Sequence, residues 1–129
     1  MTKIFDGPET IEESGAPWQN PIRDDFHIMV FEDKFPVTPG HLLFVPKYNE
    51  SSLLVDAFED AVRWGQAKVL NKEWDGFNIG MNYGTAAGQT VMWPHVHLIP
   101  RRKGDHDKPE GGVRHVIPGK GYYYDPNFR

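Results

Sequence analysis

Cysteine is absent from this chain of 129 residues. Its absence excludes disulfides, thiolate metal sites and a cysteine nucleophile. A basic surplus is also missing, since 14 lysines and arginines face 18 acidic residues and the net charge is −4. This balance does not favour nucleic acid or an anionic membrane as a partner. No apolar run approaches the ~20 residues that span a bilayer, and the first residues lack the apolar stretch of a signal peptide, so we expect a cytoplasmic protein.

The composition that is present indicates one globular domain. Hydrophobic residues make up 39% and aromatic residues 13% of the chain, which argues against disorder. No repeat or long linker divides the sequence. Residues 1–25 are polar and rich in turn formers and are expected to form an N-terminal arm over a body at 26–129. Six histidines, at positions 27, 41, 95, 97, 106 and 115, are the chemically interesting inventory.

Strand-like and helical patterns predict an α+β fold with an antiparallel sheet. β-rich segments lie at 26–31, 41–46, 77–82 and 90–100. One helix is predicted from Ser52 to Asn71, with Asn49, Ser51 and Ser52 as candidate N-caps. Apolar or small residues at three- and four-residue spacing mark its buried face: Leu54, Phe58, Ala61, Val62, Gly65 and Val69.

The stretch MWPHVHLIPRRKGD, Met92 to Asp105, places two histidines on one strand. Side chains alternate across a strand, so His95 and His97 share a face with Trp93, with Cα atoms roughly 6.5–7 Å apart. The other face carries only apolar residues and is expected to pack on the core. Pro94 has no N–H to donate, so the strand should start, bulge or lie at an edge there.

The glycine-rich run that precedes this strand suggests an anion site. Residues 80–88 contain three glycines, at 80, 84 and 88, and lead into Gln89 and Thr90. Glycine reaches positive φ, which lets such a loop turn backbone N–H groups toward a phosphate. The run lacks the Walker pattern, and an ordinary hairpin turn explains the glycines equally well. Two histidines on a strand are also most simply half-buried side chains when taken one at a time.

A family resemblance rests on three segments taken in order. Gly88 to Asp105, GQTVMWPHVHLIPRRKGD, matches the pattern G-Q-[ST]-V-x-H-x-H-x-H. Pro36 to Lys47 (PVTPGHLLFVPK) and Phe77 to Thr90 (FNIGMNYGTAAGQT) match at similar separations. The chain thus resembles the histidine triad (HIT) superfamily of nucleotide hydrolases and transferases, in its fragile-histidine-triad or diadenosine polyphosphate hydrolase branch. This implies a HIT-like sheet of about five strands with one main helix.

The resemblance implies a role for each matching residue. His95 corresponds to the nucleophile, which would attack an α-phosphate and form a nucleotidyl-imidazole that water hydrolyses. An imidazole with a pKa near ~6.5 is largely neutral at pH 7 and needs no separate base. His97 would donate a hydrogen bond to the phosphate or the leaving group. The remaining implied roles are Gln89 at the bridging oxygen, Asn82, Gly88 and Thr90 at phosphate oxygens, and His41 behind the catalytic pair.

Trp93 departs from the family pattern, because it stands where the first histidine of the triad is expected. Its indole would either stack on a base or plug the sheet, and plugging is the simpler interpretation. The implied chemistry requires no cofactor; a divalent cation is expected only as the companion of a polyphosphate. The resemblance also implies a two-fold homodimer, with Trp64 or Tyr123 as candidate contacts, and a nucleotide rather than a nucleic acid or a membrane as partner.

Two other functions remain open at this point. A metal-dependent hydrolase would use His95 and His97 as ligands, with His41, His106 or His115 as a third. No acidic residue at a matching offset supports it, and it leaves the Gly88-Gln89-Thr90 element unexplained. A nucleotide-binding protein without catalysis is the other alternative, because Trp93 replaces a triad histidine. We expect no metal at His95, since a nucleophilic nitrogen must stay free.

Overall fold

A computed structural model describes residues 2–123 of the chain. Within these residues, five strands form one antiparallel sheet in the order β1-β2-β3-β5-β4. The strands are β1 (Arg23–Asp24), β2 (Ile28–Glu32), β3 (Leu42–Pro46), β4 (Gly76–Gly80) and β5 (Val96–Arg101). The helices are α1 (Ile11–Ser14) and α2 (Ser51–Leu70), with short 3-10 helices at Thr85–Ala87 and Gly112–Val116. The predicted α+β architecture with one main helix is confirmed.

Several predicted strand boundaries differ from the structure for local reasons. The strand predicted at 90–100 begins only at Val96, because Pro94 just before it cannot donate to a ladder. The strand predicted at 26–31 runs instead over Ile28–Glu32, since the Asp25 carboxylate accepts the N–H groups of His27 and Ile28 and forms a turn there. The two-residue β1 was not predicted at all.

Helix α2 covers one face of the sheet. Its buried positions are Leu53, Ala57, Ala61 and Gly65, spaced by four residues. Val62, predicted on the buried face, is 38% exposed, because the contact stripe is narrower than the predicted one. At Gly65 a side chain does not fit, since a Cβ there would lie 2.7 Å from Cδ1 of Phe77.

The two faces of the sheet have separate apolar clusters. Val30, Phe44, Val96 and Leu98 point toward α2 and pack with its alanines. Phe31, Leu43, Val45 and Trp93 point to the opposite face, where they pack with Ile11. The part of the chain before β1, residues 2–22, therefore covers the face that α2 does not, and is called the N-terminal segment below.

Asn49 holds the N-terminal segment in place. Its side chain is 2% exposed, and its Oδ1 accepts the N–H groups of Ile4 at 2.8 Å and Phe5 at 3.2 Å. Its Nδ2 donates to the carbonyls of Phe5 at 2.9 Å and Pro8 at 3.0 Å. The N-cap predicted at Asn49, Ser51 or Ser52 is wrong, because α2 begins at Ser51 after an extended Glu50 without a side-chain cap.

Candidate functional site

His95 and His97 lie side by side on the face of the sheet that the N-terminal segment covers. Their ring centroids are 5.2 Å apart. Along β5 the buried residues alternate with half-buried ones, and Val96 and Leu98 point to the α2 side. His97 is opposite Leu43 of β3 and Gly80 of β4. The alternation predicted from the sequence is confirmed, and it places both imidazoles over one surface.

The hydrogen bond of His95 determines which of its ring nitrogens is free. Its Nδ1 lies 2.8 Å from the carbonyl oxygen of Trp93. A carbonyl oxygen only accepts, so Nδ1 carries the proton in the neutral ring. The lone pair of His95 is then on Nε2. His95 is thus a neutral imidazole whose unprotonated Nε2 has the chemistry of a nucleophile or of a metal ligand.

Trp93 is the rigid support of that hydrogen bond. Its indole is 2% exposed, donates Nε1–H to the carbonyl of Pro46 at 2.9 Å, and meets the ring of Phe5 edge-on at 5.7 Å. The indole therefore fills the sheet face and does not reach the surface where a ligand would lie. Plugging, the simpler of the two predicted roles, matches this position.

His41 and His97 form a hydrogen-bonded pair with a defined direction. His41 Nδ1 accepts the N–H of Val37 at 3.2 Å, so the proton of neutral His41 lies on Nε2. His41 Nε2 lies 2.9 Å from His97 Nδ1, which must then accept. Neutral His97 consequently carries its own proton on Nε2. His95 presents a lone pair at Nε2, whereas His97 presents a donor.

Asp33 completes this group and was missed in the sequence analysis. Its Oδ2 lies 3.4 Å from His41 Nε2 and 3.9 Å from His97 Nδ1. Its Oδ1 accepts the N–H of Phe35 at 2.8 Å, which fixes the carboxylate at the start of the β2–β3 turn. The only sequence signal was an acidic residue at the end of a strand, eight positions before His41, and that signal is weak.

Burial lowers the pKa of all three histidines. The pKa of His97 falls to about 4, first because of desolvation and then because of the neighbouring imidazoles of His95 and His41, with Asp33 opposing. Desolvation also lowers the pKa of His95, although the hydrogen bond to the Trp93 carbonyl and the charge of Asp33 act to raise it. It lowers the pKa of His41 as well, where the charge of Asp33 again acts in the opposite direction. At pH 7 the three rings are therefore neutral, which is the state that the tautomers above require.

The glycine-rich loop is closed by Gln89. Gly84 and Gly88 have φ values of 92° and 93°, a region that side chains rarely adopt. The Gln89 Oε1 accepts the Gly84 N–H at 2.8 Å, and its Nε2 donates to the carbonyls of Val91 at 3.1 Å and Met92 at 3.0 Å. The predicted contact from Gln89 to a bridging oxygen stays a prediction, and it would require one of these bonds to break.

Asn82, Gly88 and Thr90 are exposed residues of the loop between β4 and β5. Asn82 lies two residues beyond Gly80, the partner of His97 in the sheet. Within residues 2–123 neither the Asn82 side chain nor the Thr90 N–H makes a hydrogen bond to the protein, so both are available to bind a ligand. Their predicted role as phosphate contacts stays a prediction.

Trp18 of the N-terminal segment is a further neighbour that sequence analysis missed. Its ring centroid lies 4.8 Å from that of His95, at an interplanar angle of 60°. It also packs on Phe31 at 6.0 Å. No local pattern in the sequence identifies it, because the contact joins positions separated by most of the chain.

The arrangement can be tested as a metal site. Ligand atoms of Asp33, His41 and His97 lie within 4.8 Å of one another, whereas among the described residues no such group includes His95. His41 does not fit this role: its Nδ1 accepts the Val37 N–H, and a neutral imidazole has only one free lone pair. The other predicted third ligands, His106 and His115, bond locally to Lys108 and Glu110.

The basic and aromatic residues of the C-terminal part have structural partners. Arg101 forms two 2.9 Å bonds to the Asp105 carboxylate, so it serves that turn. The 3-10 helix Gly112–Val116, which follows Gly111, contacts β4. Of the aromatic run 122–124, Tyr124 lies outside the described residues. No helix among residues 2–123 is long and apolar enough to cross a membrane.

Comparison with known proteins identifies relatives. The model of the family described as HIT domain matches residues 19–104. An uncharacterized HIT-like protein of Saccharolobus solfataricus is 32% identical over 106 residues, 74% of each chain. The asymmetrical bis(5'-nucleosyl)-tetraphosphatase of Schizosaccharomyces pombe is 39% identical over 54% of this chain and 42% of its own length. The crystal structure of a zinc-bound histidine triad family protein from Mycobacterium smegmatis has a TM-score of 0.61 at 32% identity, covering 66% of this chain and 67% of that one.

Proposed function

This chain belongs to the HIT domain family, and we propose that it is a nucleotide hydrolase or nucleotidyl transferase that works through a covalent nucleotidyl-His95 intermediate. The observation that carries the proposal is the pair of opposite tautomers on one sheet face. The hydrogen bond to the Trp93 carbonyl puts the lone pair of His95 on Nε2. The hydrogen bonds from Val37 to His41 and from His41 to His97 put the proton of His97 on Nε2. A nucleophile and a hydrogen-bond donor thus lie next to each other.

In the proposed reaction His95 Nε2 attacks the α-phosphorus of a nucleotide. An N–P bond forms, and the P–O bond to the leaving group breaks with its electron pair on that oxygen. The imidazole becomes cationic, and its Nδ1–H bond to the Trp93 carbonyl stabilises the charge. Water or another hydroxyl acceptor then attacks the same phosphorus and releases its proton to solvent. The P–N bond breaks with its electron pair on Nε2, which restores neutral His95.

His97 favours a leaving group that departs as an anion. With a pKa of about 4 it is neutral at pH 7, and full loss of its Nε2 proton would leave an imidazolate. It can therefore stabilise a developing oxyanion by a hydrogen bond more readily than it can protonate a basic amine. A phosphoric anhydride, such as a dinucleoside polyphosphate, suits this arrangement better than a phosphoramidate. The name of the fission-yeast relative agrees with that substrate class.

The polar loop between β4 and β5 would hold the phosphates. Asn82, two residues beyond the sheet partner of His97, and the Thr90 N–H would provide donors, and Gly88 leaves room for an oxygen close to the backbone. Gln89 supports this loop from inside. A divalent cation would accompany the polyphosphate substrate and is not needed by the imidazole.

The test is incubation with dinucleoside polyphosphates and nucleoside phosphoramidates, followed by chromatography of the products. We expect turnover that His95→Ala lowers by several orders of magnitude, whereas His97→Ala, which removes one donor, costs on the order of 10²–10³ in kcat. Radiolabel from an α-labelled nucleotide should remain on the wild-type chain after an acid-free quench and be absent from His95→Ala. If His95→Ala keeps more than about a tenth of wild-type turnover, less than ~1.4 kcal/mol of barrier, the nucleophile is a different group.

We extend the proposal to a two-fold homodimer in the cytoplasm. β4 is an edge strand, and no strand among residues 2–123 pairs with its outer side. Exposed strand edges are usually covered or paired. Tyr123 is partly exposed, whereas Trp64 packs on Phe44 within its own chain. Sedimentation equilibrium should return twice the chain mass of 14.8 kDa, and a single-chain mass at micromolar concentration would exclude the dimer.

A further inference from the structure

The N-terminal segment reaches the catalytic pair through one aromatic side chain. Trp18 lies just before residue 19, where the match to the family model begins. It is half-buried, and its ring meets that of His95 at 4.8 Å while it rests on Phe31. The Trp18 indole therefore lies directly against the His95 imidazole.

Two tryptophans bracket His95 from different directions. Trp93 anchors the ring through its carbonyl, which lies 2.8 Å from Nδ1. That single hydrogen bond leaves the imidazole free to tilt about its axis, and χ2 of histidine is a broad torsion. The indole of Trp18 blocks one direction of tilt by direct contact.

We propose that Trp18 is a positioning residue, which holds the His95 imidazole so that Nε2 faces the phosphorus of the substrate. This inference rests on the proposed function of His95 as the nucleophile. In-line attack needs the reacting atoms about 3–3.5 Å apart and aligned, so a loosened ring loses rate more than affinity. Trp18 touches the imidazole and is not required to touch the substrate.

The segment that carries Trp18 is anchored independently of the histidines. Ile11 is buried in the same apolar cluster, its N–H bonds to the Lys47 carbonyl at 3.1 Å, and Asn49 holds the residues at 4–8. Removal of the indole alone should therefore leave the segment docked. The contact between Trp18 and His95 can therefore be tested while the N-terminal segment stays on the sheet.

The experiment compares Trp18→Ala and Trp18→Phe with the wild-type chain, and uses Trp64→Ala as a control that loses aromatic packing on the opposite face. Histidine ring nitrogens are followed by NMR across pH, with His95 assigned by its absence in His95→Ala. In Trp18→Ala we expect the ring to rotate away from the Trp93 carbonyl, which weakens the hydrogen bond that sets the tautomer, so that both neutral tautomers of His95 are populated. Solvent that then reaches the ring should raise its protonation midpoint toward that of a free imidazole. Trp18→Phe and Trp64→Ala should keep the wild-type tautomer and midpoint.

Kinetics on a dinucleoside polyphosphate provide the second readout. Trp18→Ala should lower kcat by roughly 10- to 100-fold with KM nearly unchanged, which is the cost of a misplacement of about 1 Å; Trp18→Phe should recover most of the rate. An unchanged His95 tautomer and midpoint in a folded Trp18→Ala overturns the proposal, as does the same change in Trp64→Ala. Absence of turnover and of label on wild-type His95 refutes the proposed function instead, and the NMR result still decides whether Trp18 positions the ring.

Discussion

Replacing Asn49 by alanine should detach the N-terminal segment from the sheet. The Asn49 amide is buried, and four of its hydrogen bonds, at 2.8 to 3.2 Å, connect it to the backbone of residues 4–8. The variant loses all four. It also leaves the buried N–H of Ile4 without this partner.

The magnitude follows from those contacts. A typical intramolecular hydrogen bond contributes about 1 kcal/mol net, and an orphaned buried donor costs ~1–3 kcal/mol. Three bonds at this value together with the orphaned N–H of Ile4 give an expected loss of about 4–6 kcal/mol in the free energy of unfolding of Asn49→Ala, a large part of the ~5–15 kcal/mol that domains possess. For a chain of this length that loss lowers Tm by roughly 12–30 °C. The loss is smaller only if the segment separates locally while the rest stays folded.

Urea unfolding monitored by circular dichroism measures the loss, and hydrogen exchange at residues 4–11 detects local separation. Ser51→Ala is the matched control, because the Ser51 hydroxyl makes a single exposed bond to the Lys3 carbonyl at 3.1 Å. We expect less than about 1 kcal/mol from that control. If Asn49→Ala loses no more than Ser51→Ala and protection at residues 4–11 is unchanged, the amide does not anchor the segment.

Three further outcomes follow from the site. Stability should rise with pH between about 4 and 6.5, because folding lowers the pKa of His97 to about 4 and the unfolded chain then binds more protons. This contribution to the free energy of unfolding, on the order of 3 kcal/mol, is full above pH 6.5 and lost below pH 4. Urea unfolding at a series of pH values should show a flatter pH dependence in His97→Asn, and an unchanged dependence would contradict the prediction. Activity should survive EDTA, since His95 Nε2 must stay unligated, and loss of turnover restored by zinc would favour the metal-dependent alternative. Gln89→Ala should raise KM and loosen the 84–92 loop, measured by kinetics and hydrogen exchange, whereas a pure kcat loss would indicate direct contact with the leaving group.

Short-range patterns predicted most of the sheet and the adjacent positions of His95 and His97. Alternation placed His95 and His97 on one face, because the period of a strand depends only on backbone geometry. The helix boundaries were displaced by one residue at each end, from the predicted Ser52–Asn71 to Ser51–Leu70. Termini are set by local hydrogen bonds, so small errors there are expected.

The contacts that define the chemistry were less accessible to sequence reasoning. Asp33 and Trp18 reach the histidines only after β3 and the N-terminal segment have docked. Gln89 illustrates a second limit, because its residue type suits both a ligand contact and a loop closure. The Val37 N–H, which sets the tautomer of His41, has no sequence signature at all, since every residue except proline carries this group.

Trp93 occupies the position where we expected the first triad histidine, and it still provides His95 with a hydrogen-bond partner. The contact to His95 comes from the Trp93 backbone carbonyl, which any residue at this position provides. The indole points instead into the apolar cluster, where its N–H is satisfied by Pro46. The indole thus contributes apolar packing and one buried hydrogen bond at this position. The tautomer of His95, and with it the lone pair on Nε2, depends on that carbonyl and not on a third imidazole.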